Sequence, residues 1–188
     1  RYLERNELEK EANKSAQIVL LRPSMAVLLM SSPDPQSLRS ALPNFEQITH
    51  IFLPINDANN YDVTSSGTHW SLLVVSKLDG VAFHYDSMEP ANIKYAKAAA
   101  TKLSELLQTP LHFHEMNDCP QQDNGSDCGV FVCVAMEELL IRLLNVERAQ
   151  KITMSMENRI QDKNLNSNMR TKLMKIIQGL VEQEKKRK

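Results

Sequence analysis

The sequence predicts a mixed α+β fold, and three features of the chain indicate it. Apolar residues in 68–76 and 81–87 flank a short turn and predict a β-hairpin. Apolar residues recur at helical spacing between 92 and 108, which predicts a helix with one buried stripe. The apolar stretch that follows Cys128 predicts a second helix, most of it in the core. No repeats or low-complexity segments separate these elements, so we expect residues 1–188 to form one domain.

The other elements follow from apolar runs and from the positions of proline. Besides the hairpin, strands are predicted over residues 48–55 and 111–115. Further helices are predicted over residues 1–15 and 168–181, with a short one that opens at 33–35 and ends before Pro43. The apolar segment 18–30 is broken by Pro23, and 57–67 is predicted to be a polar loop that leads into His69. The helix after Cys128 is expected to end at about Leu144.

Length, charge and cysteine content bound the class of protein. A chain of 188 residues is long enough to bury a core. Its formal net charge of −1 indicates neither a nucleic-acid partner nor a membrane surface, and it has no apolar run near the roughly 18 residues of a membrane span. Its three cysteines lack a Cys-x-x-Cys pair, so we expect no disulfide framework. We expect a monomer in a reducing location, the cytoplasm or the nucleus.

Cys128 stands where the second helix is predicted to begin. The first N–H groups of a helix have no partners within it, and the helix macrodipole adds a positive potential there, so both favour a thiolate. A small buried cysteine that opens a core helix is the alternative interpretation. The hairpin residues upstream decide between the two, because they supply the partners that a nucleophile needs.

His69 and Asp86 lie at the open end of the predicted hairpin. The loop is open to three interpretations, with two residues at 78–79 or 79–80, or four at 77–80. Each of them places both side chains on one face, near diagonal cross-strand positions and within hydrogen-bond reach. Taken singly, the histidine is more typical of a core or surface position and the aspartate of a turn. With the thiol, they supply the nucleophile, the base and the orienting group of a catalytic triad.

Four separated blocks of sequence resemble the Ulp-type cysteine proteases, which remove ubiquitin-like modifiers. The blocks are Gly67-Thr68-His69-Trp70-Ser71-Leu72-Leu73-Val74, Phe83-His84-Tyr85-Asp86-Ser87, Gln121-Gln122 and Asp127-Cys128-Gly129. Their order, with histidine first, then aspartate, glutamine and cysteine, is the order of that family. The segment Ile55-Asn56-Asp57 ahead of the first block is more similar to the deneddylase branch than to the desumoylating branch.

The resemblance implies a papain-like fold, with a central mixed sheet flanked by helices and the nucleophile at a helix N-terminus. It implies that Cys128 attacks the carbonyl of the modifier's C-terminal glycine, that His69 transfers the proton and that Asp86 holds the imidazole. Gln122 would be an oxyanion-hole donor, and a solvated loop residue is its alternative. Trp70 resembles the lid over the narrow passage for a Gly-Gly tail, and a core position is its alternative.

The chain departs from the family pattern in three places. A segment of the Trp-Leu-Asn-Asp type packs near the tail passage in the family and has no counterpart here, because this sequence has one tryptophan, Trp70. The chain begins with Arg1 inside a predicted helix, so we expect a form truncated at the N-terminus. Ser126 stands where the family commonly has tyrosine, which predicts weaker packing behind the nucleophile loop.

No cofactor and no metal are expected. His112 and His114 alternate on a predicted strand, but no cysteine or carboxylate stands near them at ligand spacing. The charged run 184–188 at the end of the chain is interpreted as a solvated segment, with a nuclear-import signal as the alternative.

The sequence therefore predicts a thiol isopeptidase or endopeptidase that cleaves after the C-terminal Gly-Gly of a ubiquitin-like modifier. The resemblance implies the neddylation modifier and its conjugates, such as cullins, as partners, with SUMO as the nearest alternative. A binding module that docks the modifier without turnover is an alternative of another class. An acetyltransferase, of the kind found among bacterial effectors with a similar arrangement, is a third, and the contexts of Trp70 and Gln122 argue against it.

Overall fold

A computed structural model gives the fold and describes residues 2–8, 17–58, 67–145 and 152–186. Within these ranges five strands form one mixed sheet, in the order in which they occur in the chain. They are β1 (Ile18–Leu20), β2 (His50–Asn56), β3 (Trp70–Ser76), β4 (Val81–Tyr85) and β5 (His112–Glu115). The inner pairs β2–β3 and β3–β4 are antiparallel, whereas β1–β2 and β4–β5 are parallel.

Helices cover the sheet and connect its strands. The α-helices of the described residues are α1 (Pro23–Ser31), α2 (Ile93–Leu107), α3 (Cys128–Leu144) and α4 (Leu165–Lys185). Shorter elements are a π-helical turn at Glu4–Leu8 and 3₁₀ turns at Pro35–Leu38 and Glu157–Arg159. The mixed sheet between helices confirms the predicted α+β class.

The central strands are buried on both faces, which is why they read as continuous apolar runs. Alternate residues of β2 and β3 belong to two separate clusters, because successive side chains of a strand point to opposite faces. Phe52, Leu72 and Val74 pack in a cluster with α3 and the start of α4. Leu53 and Leu73 pack in the other cluster with α1 and α2. Helix α3, which begins at the cysteine, thus lies against one face of the hairpin.

The predicted hairpin is present, and of the three loops that the sequence left open the observed one is the four-residue loop at 77–80. Ser76 pairs with Val81 and Leu72 with Tyr85. Gly80 has a φ of +65°, a left-handed conformation that glycine adopts without the steric cost of a side chain. This register places His69, just before β3, and Asp86, just after β4, in diagonal positions at the open end of the hairpin.

Most of the other predicted elements are present, with shifted ends. The strands predicted at 48–55 and 111–115 are β2 and β5, and the helix predicted at 92–108 is α2. Helix α3 ends at Leu144, as expected, and α4 is longer at both ends than the predicted 168–181. The short helix expected after Pro33 is a 3₁₀ turn, in which the Asp34 side chain accepts a hydrogen bond from the Gln36 N–H at 2.9 Å.

The structure adds detail to two predictions for the N-terminal part. The apolar segment 18–30 is a strand followed by a helix, and Pro23 starts α1, where its missing N–H costs no intrahelical hydrogen bond. The helix predicted over 1–15 is described only at its start, where Glu4–Leu8 forms a π-helical turn. Its remainder at 9–16, and most of the predicted polar loop at 59–66, lie outside the described residues. None of the helices described is both long and apolar enough to cross a membrane.

Candidate active site

The side chains of His69 and Asp86 form a buried hydrogen bond at the open end of the β3–β4 hairpin. His69 Nε2 donates to Asp86 Oδ1 at 2.6 Å, and the two residues are 4% and 3% exposed. The contact is the diagonal one that the hairpin register predicts. Because Nε2 is engaged with the carboxylate, Nδ1 is the ring nitrogen that remains to exchange a proton with another group.

The Asp86 carboxylate also accepts two hydrogen bonds from nearby backbone. The Met88 N–H donates to Oδ1 at 3.0 Å, and the Asn92 N–H donates to Oδ2 at 2.8 Å. Burial alone would raise the pKa of Asp86, but the hydrogen bonds from His69 and from these two N–H groups outweigh it and lower the pKa. The carboxylate therefore stays ionised near neutral pH and holds the imidazole in one orientation.

Asn92 ties the loop after Asp86 to the start of β3. It is fully buried, and its side-chain amide donates to the main-chain oxygens of His69 at 3.3 Å and Ile55 at 3.4 Å. The same amide lies 3.2 Å from the Ser71 hydroxyl. One residue thus holds the backbone of the histidine through its side chain and the carboxylate of the aspartate through its N–H.

The backbone at and before His69 is held by Asn56, the last residue of β2, and by Asp57, which follows it. Asp57 Oδ1 accepts hydrogen bonds from the N–H groups of Thr68 at 2.6 Å and His69 at 2.9 Å. The Asn56 side chain donates to the His69 carbonyl oxygen at 3.0 Å. Gly67 has a φ of +96°, and a Cβ at this position would lie 1.9 Å from Asn56 Oδ1, so only glycine fits. The segment that indicated the deneddylase branch thus supports the histidine.

Cys128 is the first residue of α3 and is 7% exposed. Trp70 and Gly129, the residues that directly follow His69 and Cys128, line the same groove, which has a volume of about 410 Å³. The sheet and helix thus bring the neighbours of the histidine and of the cysteine to one cleft. Trp70 is half-buried in its wall, among mostly apolar residues that include Leu20, Leu21, Pro54, Val132 and Met136.

The other two cysteines are poor candidates for a nucleophile. Burial raises the pKa of Cys119 to about 12, and the nearby carboxylates of Asp86 and Asp118 add to the rise. Burial also raises the pKa of Cys133, with a further rise from Glu137. Because the thiolate is the reactive form, both side chains remain unreactive thiols near neutral pH.

Gln122 lies in a loop that connects the aspartate end of the site to the cysteine end. Its side-chain oxygen accepts from the Ser87 hydroxyl at 2.7 Å, and its Nε2 donates to the Asn124 carbonyl at 2.5 Å. An amide NH₂ has two hydrogens, so one N–H remains for an oxyanion. The neighbouring Gln121 donates from Nε2 to the Asp86 main-chain oxygen at 2.9 Å. The loop is thereby fixed to the residues that surround the carboxylate.

Asp127, the residue before Cys128, is buried and ion-paired with Arg170 of α4. Its carboxylate also accepts hydrogen bonds from the side chains of Asn124 and Asn166, each at 2.9 Å. These contacts lower the pKa of Asp127, the bond from Asn124 most of all and that from Arg170 next. The last α-helix is therefore connected to the nucleophile loop.

His112 and His114, weighed above as a metal pair, both lie on β5. The ring of His114 contacts the ring of Phe83 edge-on, with 6.1 Å between the centroids. Among the residues that the structure describes, no group of three or more histidine, cysteine, aspartate or glutamate side chains could hold a metal ion.

Sequence reasoning missed Asn92, Gln121 and Arg170. An asparagine at the start of a helix is typical of a cap, and this signal hides the buried role of Asn92, whose side chain makes no capping bond. Gln121 appeared only as the neighbour of Gln122. Arg170 is separated from Asp127 by 43 residues of chain, and no local pattern connects the two.

The sequence matches the Ulp1 protease family, C-terminal catalytic domain, over residues 1–178. The chain belongs to this family. NEDD8-specific protease 2 of Schizosaccharomyces pombe is 38% identical over 175 residues, which are 93% of this chain and 41% of that protein. NEDD8-specific protease 1 of Arabidopsis thaliana is 35% identical over 123 residues, 64% of this chain and 54% of that protein. The predicted resemblance to the Ulp-type proteases, and to their deneddylase branch, is confirmed.

Two solved structures share the fold. The Xanthomonas campestris effector protein XopD, solved bound to ubiquitin, is 28% identical with a TM-score of 0.53 over 73% of this chain and 74% of that one. The SUMO protease Ulp1, with its catalytic cysteine oxidised to a sulfinic acid, is 20% identical with a TM-score of 0.51 over 86% of this chain and 74% of that one. The predicted fold is confirmed. This Ulp1-family chain spans about half the length, or less, of the curated relatives above.

Proposed function

We propose that this chain is a cysteine protease domain that cleaves after the C-terminal Gly-Gly of NEDD8, from a precursor or from a conjugate. The observation that carries the proposal is the buried 2.6 Å contact between His69 and Asp86 beside the groove that Trp70 and Gly129 line. Trp70 directly follows His69 and Gly129 directly follows Cys128, so the groove lies beside both the histidine and the cysteine. The match to the Ulp1 family and the names of its relatives supply the substrate class.

In the proposed reaction, His69 Nδ1 takes the proton of the Cys128 thiol, and the sulfur forms a bond to the carbonyl carbon of the terminal glycine. The carbonyl oxygen becomes an oxyanion. It is stabilised by the free N–H of the Gln122 amide and by the Cys128 backbone N–H at the start of α3. Asp86 stabilises the imidazolium that forms, because its carboxylate is already ionised and aligned on Nε2.

Collapse of the tetrahedral intermediate breaks the bond between the glycine carbon and the leaving amine, which takes the proton from His69. The modifier is then a thioester of Cys128. A water molecule gives a proton to His69 and attacks the thioester carbon, the carbon–sulfur bond breaks, and the proton returns to the thiolate. Trp70 would restrict the groove to a tail without side chains, which explains a requirement for two glycines.

The proposed partners are NEDD8 and its conjugates, cullins among them, and the proposed site of action is the cytoplasm or the nucleus. SUMO is a second candidate modifier, because a SUMO protease shares the fold. At 20% identity that likeness concerns the fold alone, whereas the relatives named as NEDD8-specific are 35% and 38% identical. NEDD8 is therefore the modifier that we propose.

The proposal is tested with a panel of NEDD8, SUMO and ubiquitin, each carrying an electrophilic C-terminus. The chain should react with the NEDD8 probe fastest, and Cys128→Ala should abolish both labelling and cleavage while binding of NEDD8 is kept. Cys133→Ala is the matched control, since it removes another thiol of α3 and should label like the parent. Labelling of Cys128→Ala at the parent rate would show that Cys128 is not the nucleophile.

The same panel separates the alternatives. Faster labelling by the SUMO probe would replace NEDD8 with SUMO as the substrate. Binding of a modifier without any labelling of Cys128 would identify a binding module. Acetyl transfer from acetyl coenzyme A to Cys128, with no reaction toward the three probes, would identify an acetyltransferase.

A further inference from the structure

Asp127 occupies the N-cap position of α3 but does not cap the helix. Its side chain makes no capping hydrogen bond, although the main-chain oxygen accepts the Phe131 N–H at 3.0 Å and so begins the helix. Aspartate at an N-cap normally accepts a hydrogen bond from the second or third N–H of the helix. Asp127 is 5% exposed, and its carboxylate contacts side chains of α4 and of the preceding loop instead of the first turn of α3.

Three side chains from two parts of the chain, the loop before α3 and the start of α4, hold the carboxylate away from the helix. Arg170 donates to Oδ1 from Nε at 2.8 Å and also from its Nη2. Asn166 and Asn124 each donate to Oδ2 at 2.9 Å. Arg170 also contacts the Ser126 carbonyl at 3.4 Å. Arg170 brings the one full positive charge of this set, and it comes from α4, whose first turns pack on α3.

The position of this carboxylate matters to the reaction proposed above. The unpaired N–H groups at the start of α3 are the groups that would stabilise both the thiolate and the oxyanion. A capping carboxylate would accept from the second or third of these N–H groups, those of Gly129 and Val130, and would place a negative charge beside the sulfur and the developing oxyanion. Drawing the carboxylate toward α4 leaves the N–H groups available and gives its charge a partner.

We propose that Arg170 is a positioning residue for catalysis, which keeps the Asp127 side chain from capping the nucleophile helix. The inference rests on the proposed function of Cys128. It goes beyond that function because it gives α4, through Arg170, a role in keeping the catalytic cysteine reactive. Arg170 acts through Asp127, since it donates to that carboxylate and to the Ser126 carbonyl oxygen.

A double-mutant cycle of Arg170→Met and Asp127→Ala tests the proposal, with cleavage of a NEDD8 C-terminal fusion as the readout. Arg170→Met alone should lower kcat by about tenfold or more with little change in KM, because a capping carboxylate would disfavour the thiolate and the oxyanion without changing how the modifier binds. Asp127→Ala alone should stay near the parent rate. In the double variant the rate should recover, because no carboxylate remains to occupy the N–H groups. Arg170→Lys should be intermediate, since lysine keeps the charge without the planar fork.

A structural role for the ion pair gives the opposite result. If the pair merely attached α4 to the loop, the double variant would be as slow as Arg170→Met, and the proposal would be overturned. A parent-like rate for Arg170→Met would overturn it as well. Arg159→Met is the matched control, because it removes another arginine–carboxylate pair of α3, the one with Glu138, and should leave kcat unchanged. Thermal melts of each variant confirm that the compared proteins are folded.

The rate at which iodoacetamide alkylates Cys128 can be measured in the same four proteins, the parent, the two single variants and the double variant, in the absence of any modifier. We expect slower alkylation in Arg170→Met and recovery in the double variant, because the same N–H groups favour the thiolate. If the parent cleaves none of the modifiers but the alkylation cycle shows this recovery, the proposed function fails and the role of Arg170 stands. If alkylation is the same in all four proteins, the role of Arg170 is overturned whatever the modifier.

Discussion

Two buried aspartates lie at the two ends of the site, and different kinds of donor hold their carboxylates in place. Asp86, at the histidine end, accepts hydrogen bonds from His69 and from two backbone N–H groups within six residues of it. Asp127, at the cysteine end, accepts only from side chains, and Asn166 and Arg170 are 39 and 43 residues away in the chain. Both carboxyl groups have a lowered pKa, but the donors that lower it differ.

The difference teaches where the site is robust and where it is adjustable. Two of the three donors to Asp86 are backbone N–H groups, which are present whatever side chains those positions carry. The position of the Asp86 carboxylate therefore depends mainly on the path of the backbone. The clamp on Asp127 depends on side-chain rotamers, and the Arg170 side chain is 50% exposed. Ordering such a side chain costs conformational entropy, and water and salt screen its charge. The histidine end is therefore rigid, and the cysteine end depends on a surface helix.

The largest effect is expected at the rigid end. Asp86→Asn should lower kcat/KM steeply, because an amide cannot accept all three hydrogen bonds and leaves the imidazole free to adopt the wrong tautomer. The corresponding loss in serine proteases reaches about 10⁴-fold. Steady-state cleavage of a NEDD8 fusion measures it. Asp79→Asn, which changes a carboxylate in the turn of the same hairpin, should be near the parent. A loss below about tenfold for Asp86→Asn would contradict the orienting role.

A smaller effect is expected in the loop between the two ends. Gln122→Ala should lower kcat by roughly 10²–10³-fold with little change in modifier affinity, because its amide is needed only when charge develops. Gln121→Ala is the comparison, since this side chain supports the Asp86 backbone and should mainly lower the melting temperature. If Gln122→Ala weakened binding and kept the single-turnover rate, the residue would be a substrate contact instead.

The smallest effect concerns stability against acid. Each aspartate has a folded pKa below the ordinary value of 3.8, so it contributes stability that is present above about pH 4 and is lost as pH falls through the folded pKa. Urea unfolding between pH 2 and pH 7 should show a free energy of unfolding that falls below about pH 4. The fall should be shallower in Asp127→Asn, which has one such group fewer.

The salt concentration distinguishes how much each aspartate contributes to the decrease in the free energy of unfolding at low pH. High salt should reduce the part due to Asp127, whose partner Arg170 is half-exposed and charged, and should leave the part due to Asp86 unchanged. Identical pH profiles for the parent and Asp127→Asn would show that the Asp127 clamp adds no stability. In that case the different donors of Asp86 and Asp127 would not lead to different contributions to the free energy of unfolding.

Features with a local cause could be predicted from the sequence. The hairpin follows from apolar runs around one turn. Each loop that the sequence left open places His69 and Asp86 on one face in near-diagonal positions, so their contact was predictable although the exact register was not. Helix α3 follows from the apolar run after Cys128, and α2 from its stripe at helical spacing. Family membership was predictable because its motifs are short, ordered blocks of residues.

The tertiary structure alone decided which polar side chains support those motifs. Asn92 resembles a helix cap in the sequence, yet in the structure it is buried against the start of β3, because α2 packs on that face of the sheet. Arg170 reaches Asp127 because α4 packs beside α3, a contact between segments that no local pattern connects. Periodicity and turn chemistry act over a few residues, whereas these hydrogen bonds exist only after distant elements have packed. The chemical groups of this protein are thus readable in its sequence, and their alignment is a property of the folded chain.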